Sequence, residues 1–343
     1  MYWGQVTPRE EFGRRMPCYH PMFGIRTGEK TPNGKDAIKI LGAVRPQGYP
    51  PWQVVQIPCG KCIGCRLAYS KEWANRCMLE LQYHDSAFFV TFTYDDAHVP
   101  QTYSSDPETG EALLPLMTLS KRDCQLMMKR LRKRFSTDRI RFYLAGEYGS
   151  TTFRPHYHAI LFGLHLNDLV PIGKNFRGDI LYNSSALSAC WCDHSGESMG
   201  HVVVAEVTYE SCAYVARYTA KKYGVNDGEA YDLLGLVRPF TLMSRKPGIG
   251  RQYFDEHPEC MDYDFINVVT GDGGKKFRPP RYYEKLYDDI DPQSAHERKV
   301  RARASALASD RIQERKTNLD EYDRRALAER IKAGQLKSLR RTL

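Results

Sequence analysis

The stretch "RPHYHAILFG", residues 154–163, places His156 and His158 one residue apart at the head of an apolar run. Side chains alternate across a strand, so the two imidazoles share one face and Tyr157 turns to the other. Two adjacent imidazoles suit a divalent metal, or else they are core histidines satisfied by hydrogen bonds. Glu147 stands upstream, at the end of the strand-like run "RIRFYLAGEYG" (139–149). A hairpin between the two runs would bring its carboxylate beside both rings; without one it is an ordinary carboxylate at a loop edge. Two histidines, a carboxylate and open positions suit Mg²⁺ or Mn²⁺ holding a phosphate oxygen.

A second set lies in "YVARYTAKK", residues 214–222. On a helix, positions i and i+4 are neighbours, with Cβ atoms ~5–6 Å apart. Tyr214 and Tyr218 then stack on one stripe with Lys221, flanked by Arg217 and Lys222, while Cys212, Ala216, Thr219, Ala220 and Tyr223 form the opposite face. An amphipathic helix with core tyrosines and solvated lysines is the plainer alternative. It accounts less well for cations on the tyrosine side. A phenol is a weak nucleophile, with a reference pKa of ~10. A metal-bound phosphodiester and a lysine ammonium favour its ionised form. Attack would leave a phosphotyrosine on the 5′ end of DNA and free a 3′-OH, so the bond energy is kept and rejoining needs no ATP. A second tyrosine on the same stripe could attack a second strand.

These residues need elements to hold them. "AFFVTFTYDD" (87–96) reads as a strand. "LSKRDCQLMMKRLRKRF" (119–135) reads as a helix with Ser120 as N-cap and Asp123 in its first turn. Strands follow at 139–149, 156–164 and 201–207, then a helix at 208–224, and 238–245 closes the sheet. Such mixed order predicts an α+β domain: an antiparallel sheet with helices packed on it. The reading divides the chain into a Cys-rich, loop-rich region (1–85), a catalytic domain (86–290) and a basic helical tail (291–343).

"PCGKCIGC" offers Cys59, Cys62 and Cys65 at metal-ligand spacing, and "PCYHP" supplies Cys18 or His20 as a fourth ligand. Tetrahedral Zn²⁺ suits a region with little core of its own. Unligated buried thiols or an iron–sulfur cluster are the alternatives. Cys190, Cys192 and His194 are a poorer set, whose spacing matches no common zinc motif and is expected in core or at the surface.

The chain has 343 residues and a net charge of +9. Residues 297–341 hold 14 Lys/Arg against 7 Asp/Glu, so most of that charge lies in the tail. A basic tail suits a polyanion, or is merely a solvated helix. No apolar run is long enough for a membrane span, and the N-terminus lacks the apolar core of a secretory signal. A cytosolic protein with free or metal-bound thiols is expected.

With these motifs in order, the chain resembles the HUH endonuclease superfamily, and within it the replication initiation proteins of the microviruses, gokushovirus branch. "FFVTFTYDD", "GEYG…RPHYHAILFG" and "YVARYTAKK" carry the resemblance, with "PCGKCIGCRLAYSKEWANRC" and "MSRKPGIG" beside them, over roughly residues 15–285. The resemblance implies rolling-circle replication. His156, His158 and Glu147 would be metal ligands. Tyr214 and Tyr218 would be alternating nucleophiles, and Lys221 the lysine paired with Tyr218. Arg217 occupies the matching place after Tyr214, where its planar guanidinium differs from an ammonium. The partners implied are single-stranded and replicative-form DNA in the cytoplasm of a bacterial host. No GxxxxGK[ST] occurs, so unwinding and synthesis would fall to a host helicase and DNA polymerase. Two other classes fit parts of the pattern. One is a non-catalytic zinc-containing DNA-binding protein that uses its tyrosines as stacking platforms. The other is a metal phosphodiesterase using water, which often needs a second histidine motif.

Overall fold

A computed structural model describes residues 18–338 except 32–35, 51, 104, 106–107, 113, 150, 176–177, 210, 216–226 and 271–272. The chain forms two compact units, one made of residues up to Ala68 together with those from Arg281, the other running from Tyr69 to Pro280.

The first unit holds an antiparallel sheet in the order β2-β1-β3: β1 (Met22–Lys30), β2 (Asp36–Gly42) and β3 (Val54–Ile57). Helices Arg281–Ile290, Pro292–Glu314 and Glu321–Ser338 belong to it as well. Helix α1 (Ile63–Leu81) crosses the boundary between the units. The expectation of a loop-rich start is therefore corrected by three strands and a 19-residue helix. Its cysteines and scattered polar residues hide the helical period in α1. The face that becomes buried carries Trp73, Ala74, Cys77 and Met78.

The second unit is built on a seven-stranded sheet, β12-β7-β8-β4-β11-β10-β9, in which every neighbouring pair is antiparallel. Its strands are β4 (Ala87–Thr93), β7 (Arg141–Tyr148), β8 (Pro155–Phe162), β9 (Leu169–Lys174), β10 (Ile180–Ser184), β11 (Val202–Glu206) and β12 (Phe240–Met243); β5 (Gln101–Thr102) and β6 (Leu116–Met117) pair apart from it. The fold is α+β, as the element order predicts. The strands β9 and β10 escape the sequence reading because they are partly exposed and carry few apolar residues.

Alternation gives each face its own core. On one face, Val90, Phe92, Leu144, Tyr157, Ala159 and Leu161 pack with Cys124, Met127, Met128 and Leu131 of α2 (Lys121–Arg134). Ser120 caps α2 by accepting from the Asp123 amide at 3.1 Å, as its sequence predicts. Tyr94 donates to Asp123 at 2.7 Å, and the Ser120 amide donates to the Tyr157 hydroxyl at 2.8 Å, so α2 is fixed to the strands by polar as well as apolar contacts. On the other face, Phe89, Tyr143, Ala145, Ile160 and Phe162 pack with the Trp73–Met78 side of α1 and with Cys212 and Val215. Trp73 stacks on Tyr143 with ring centroids 4.7 Å apart.

Gly200 sits where the chain approaches the end of β4 most closely. Its φ is +140°, and a Cβ there would lie 2.3 Å from the Thr93 carbonyl oxygen and 2.6 Å from the Asp95 amide. Both atoms are backbone, held by bonds from Asp95 N to Met199 O (2.9 Å) and His201 N to Thr93 O (3.1 Å), so neither can move aside cheaply. Gly200→Ala is expected to destabilise the protein by about 3 kcal/mol, read as a lower urea midpoint at unchanged slope.

Candidate active site

Antiparallel pairing of β7 with β8 sets Glu147 directly opposite His156, and β4 sets Thr91 opposite His158. The hairpin that the sequence only allowed is thus present. His156 and His158 rise from one face while Tyr157 is buried in the opposite core. Glu147 Oε1 lies 2.8 Å from His156 Nε2 and 3.1 Å from His158 Nε2. The carboxylate and His158 are buried and His156 is half-buried at the rim.

The far sides of both rings are held as well. His156 Nδ1 donates to the Arg154 carbonyl at 3.1 Å, and His158 Nδ1 is 3.0 Å from Thr91 Oγ1. A carbonyl only accepts, so His156 must carry its Nδ1 proton. Its Nε2 then meets a carboxylate oxygen, and that gap calls for a positive charge: a second ring proton or a metal ion. Burial alone would raise the Glu147 carboxyl, but the hydrogen bonds and charge of the two histidines outweigh it and hold the group below the usual carboxylate range. The three donor atoms lie within 4.8 Å of one another. Adjacent ligands of an octahedral ion bound at ~2.1 Å are about 3 Å apart, which is the spacing found here. The imidazole pair makes Mn²⁺ a better match than the oxygen-seeking Mg²⁺.

Tyr214 belongs to this site. Residues 211–215 are helical, and the Tyr214 ring meets His158 edge-on, with centroids 5.1 Å apart and planes at 79°. It also meets Phe89 edge-on at 6.1 Å. Cys212 and Val215 are fully buried on the sheet, which fixes the turn from which Tyr214 projects, and Ser70 Oγ donates to the Ala213 carbonyl at 2.9 Å. Tyr218, Lys221, Arg217 and Lys222 lie outside the described residues. Thr91, Phe89 and the Arg154 carbonyl are the participants that the sequence reading missed. Their only signal is cross-strand register, which a single sequence does not display.

The other candidate sets separate cleanly. Cys18, Cys59, Cys62 and Cys65 converge in the first unit. His20 turns elsewhere and donates to Glu329 at 2.5 Å. Cys190 and Cys192 are buried, whereas the His194 side chain is almost fully exposed, so these three form no common site.

The family model of the replication-associated protein ORF2 type matches residues 87–223, the span that holds the histidine strand and the tyrosine segment. A replication-associated protein ORF2 of Spiroplasma virus 4 is 35% identical over 234 residues, 67% of either chain. A replication-associated protein VP4 of Bdellovibrio phage phiMH2K is 29% identical over 275 residues, 77% of this chain and 78% of its own. A replication-associated protein ORF4 of Chlamydia phage 1 is 31% identical over 176 residues, covering 49% of this chain and 39% of its own. No solved structure matches the chain. Among the described residues no helix is long and apolar enough to cross a membrane. Taken with the motif order, these likenesses show that the chain belongs to the family of microvirus replication-associated proteins.

Proposed function

We propose that the protein is a rolling-circle replication initiator of the HUH type, a metal-dependent DNA endonuclease and strand transferase with tyrosine nucleophiles. The observation that carries this reading is the packing of the Tyr214 ring against His158, one of three ligand-type side chains gathered around a single carboxylate oxygen. Core histidines alone would not call for a buried carboxylate, two oriented rings and an adjacent phenol together.

In this reading Glu147, His156 and His158 hold Mg²⁺ or Mn²⁺, which when bound would draw electron density from a phosphoryl oxygen and fix its position. The Thr91 hydroxyl and the Arg154 carbonyl keep the rings turned toward it. The Tyr214 oxygen attacks phosphorus and the bond to the 3′ oxygen breaks. The proton lost by the phenol is balanced by the one that the 3′ oxygen takes up. The DNA 5′ phosphate remains esterified to the enzyme, and attack by a 3′-OH later reverses the step and closes the strand. Tyr218 acts as the second nucleophile, Lys221 stabilises the developing charge, and Arg217 and Lys222 bind the DNA backbone. The substrates are the origin strand of replicative-form DNA and its single-stranded product, in the cytoplasm of the bacterial host with host helicase and polymerase.

Incubation with single-stranded oligonucleotides tiling the cognate phage genome and Mn²⁺ is expected to give a covalent protein–DNA adduct that survives denaturing electrophoresis. Tyr214→Phe with Tyr218→Phe abolishes it. Cleavage without an adduct would mean transfer to water, and binding without cleavage would mean a DNA-binding protein; either result discards the proposal.

A further inference from the structure

The four cysteines of the first unit are unused by the reaction above, and their geometry is specific. Cys62 Sγ lies 3.9 Å from Cys18 Sγ, and Cys59 Sγ lies 4.0 Å from Cys65 Sγ. A disulfide needs about 2.05 Å, so neither pair is bonded. Four thiolates around one tetrahedral zinc at ~2.3 Å stand about 3.8 Å apart along each edge. A cubane iron–sulfur cluster holds each thiolate on its own iron and so spreads them more widely.

The backbone turns its amides toward the sulfurs. Lys61 N and Cys62 N donate to Cys59 Sγ at 3.4 and 3.2 Å, Cys59 N donates to Cys18 Sγ at 3.2 Å, and Tyr19 N donates to Cys62 Sγ at 3.3 Å. Amides aimed at sulfur stabilise thiolate charge and orient metal ligands. Gly60, at φ +73°, makes the tight turn that lets two successive amides reach one sulfur. Three of the cysteines are buried, and among the described residues no histidine joins them, because His20 is engaged by Glu329.

We propose that Cys18, Cys59, Cys62 and Cys65 bind a structural Zn²⁺ that organises the first unit. The ion closes a loop of 41 residues between Cys18 and Cys59, which contains β1, β2 and β3. Closing a long loop removes disorder from the unfolded chain and keeps Met22 and Ile57 paired across β1 and β3. It also fixes the two positions that meet the C-terminal helix: His20 bonds Glu329, and Arg325 donates to Gln56 at 3.3 Å. The basic tail is thereby held by its own unit.

Elemental analysis of the full-length protein, purified without added metal, is expected to find one zinc per chain that persists through dialysis. Exchange with Co²⁺ should give the intense thiolate-to-cobalt absorption and visible bands of a tetrahedral all-sulfur site. Cys62→Ser should lose the zinc, whereas His20→Ala and Glu147→Ala keep it. Bound iron, absence of metal, an octahedral cobalt spectrum, a disulfide by mass spectrometry, or loss of zinc on His20→Ala would each overturn the proposal. If Cys62→Ser fails to fold, the zinc content and cobalt spectrum of the unaltered protein still decide. Zinc retention in Glu147→Ala keeps this outcome separate from that of the nicking reaction.

Discussion

His158→Ala lowers the rate of covalent adduct formation by roughly 10³-fold, the loss of several kcal/mol of charge stabilisation at the phosphoryl group. The effect is large because His158 does two things. Its Nε2 is one of three donors around Glu147, and its ring is the surface on which Tyr214 rests. Glu147→Ala is expected to be at least as severe, since two imidazoles alone bind a hard divalent ion weakly. Thr91→Val tests orientation alone. It preserves shape but removes the oxygen 3.0 Å from His158 Nδ1, and should raise the Mn²⁺ requirement about 10–100-fold while saturating Mn²⁺ restores the rate. Rates are measured with end-labelled oligonucleotide across a Mn²⁺ titration, with circular dichroism checking the fold. An unchanged Mn²⁺ dependence in all three variants would remove this site from the chemistry. Chelation of the metal should abolish adduct formation in the unaltered protein.

Glu80→Ala is expected to be the most damaging single change to stability in the second unit, about 3–5 kcal/mol. Glu80 is buried on α1, where Oε2 accepts from the Gly250 amide at 2.6 Å and Oε1 from His84 Nε2 at 3.2 Å and from Arg141 Nε. Arg141 also donates to the Pro247 carbonyl at 2.9 Å, and Arg76 reaches the Ile249 carbonyl through two nitrogens, at 3.0 and 2.8 Å. The "MSRKPGIG" segment is thus pinned to α1 and β7 through buried charges, and alanine strands the Arg141 guanidinium and the Gly250 amide together. Burial raises the Glu80 carboxyl, but the bonds from His84 and Gly250 and the charge of Arg141 outweigh it and hold the group below the ordinary range. A depressed carboxylate stabilises the fold fully above its unfolded pKa, and that stabilisation is lost as pH falls through the folded value. Urea midpoints should therefore fall more steeply with acid in the unaltered protein than in Glu80→Ala. Parallel curves would show that the carboxylate is not what holds the segment.

Much of the catalytic unit was legible in the residues themselves. Alternation in "RPHYHAILFG" put His156 and His158 on one face because a pleated strand has no other choice, and the apolar run around them required burial. Ser120, Asp123 and the spacing of Cys124, Met127, Met128 and Leu131 marked α2 and its buried side. The "CGKC" turn announced a sulfur site by spacing alone. These are local properties, set by backbone geometry within a few residues, and so they can be read along one chain.

Other features depend on which distant segments meet. The register that sets Glu147 against His156 and Thr91 against His158 comes from packing both faces of β8, and a slip of one residue would have turned Glu147 into the opposite core. The choice of Cys18 over His20 near Cys62 was made by the pairing of β1 with β3 and by Glu329, which lies 309 residues beyond His20. The edge strands β9 and β10 and the helix α1 show no clean period because neither forms a separate amphipathic unit; each completes a surface supplied by other elements. Residue type and spacing therefore determined which chemistry this chain could perform, while long-range packing decided which side chains share a site, because contact free energy is gained only when the sheet has assembled.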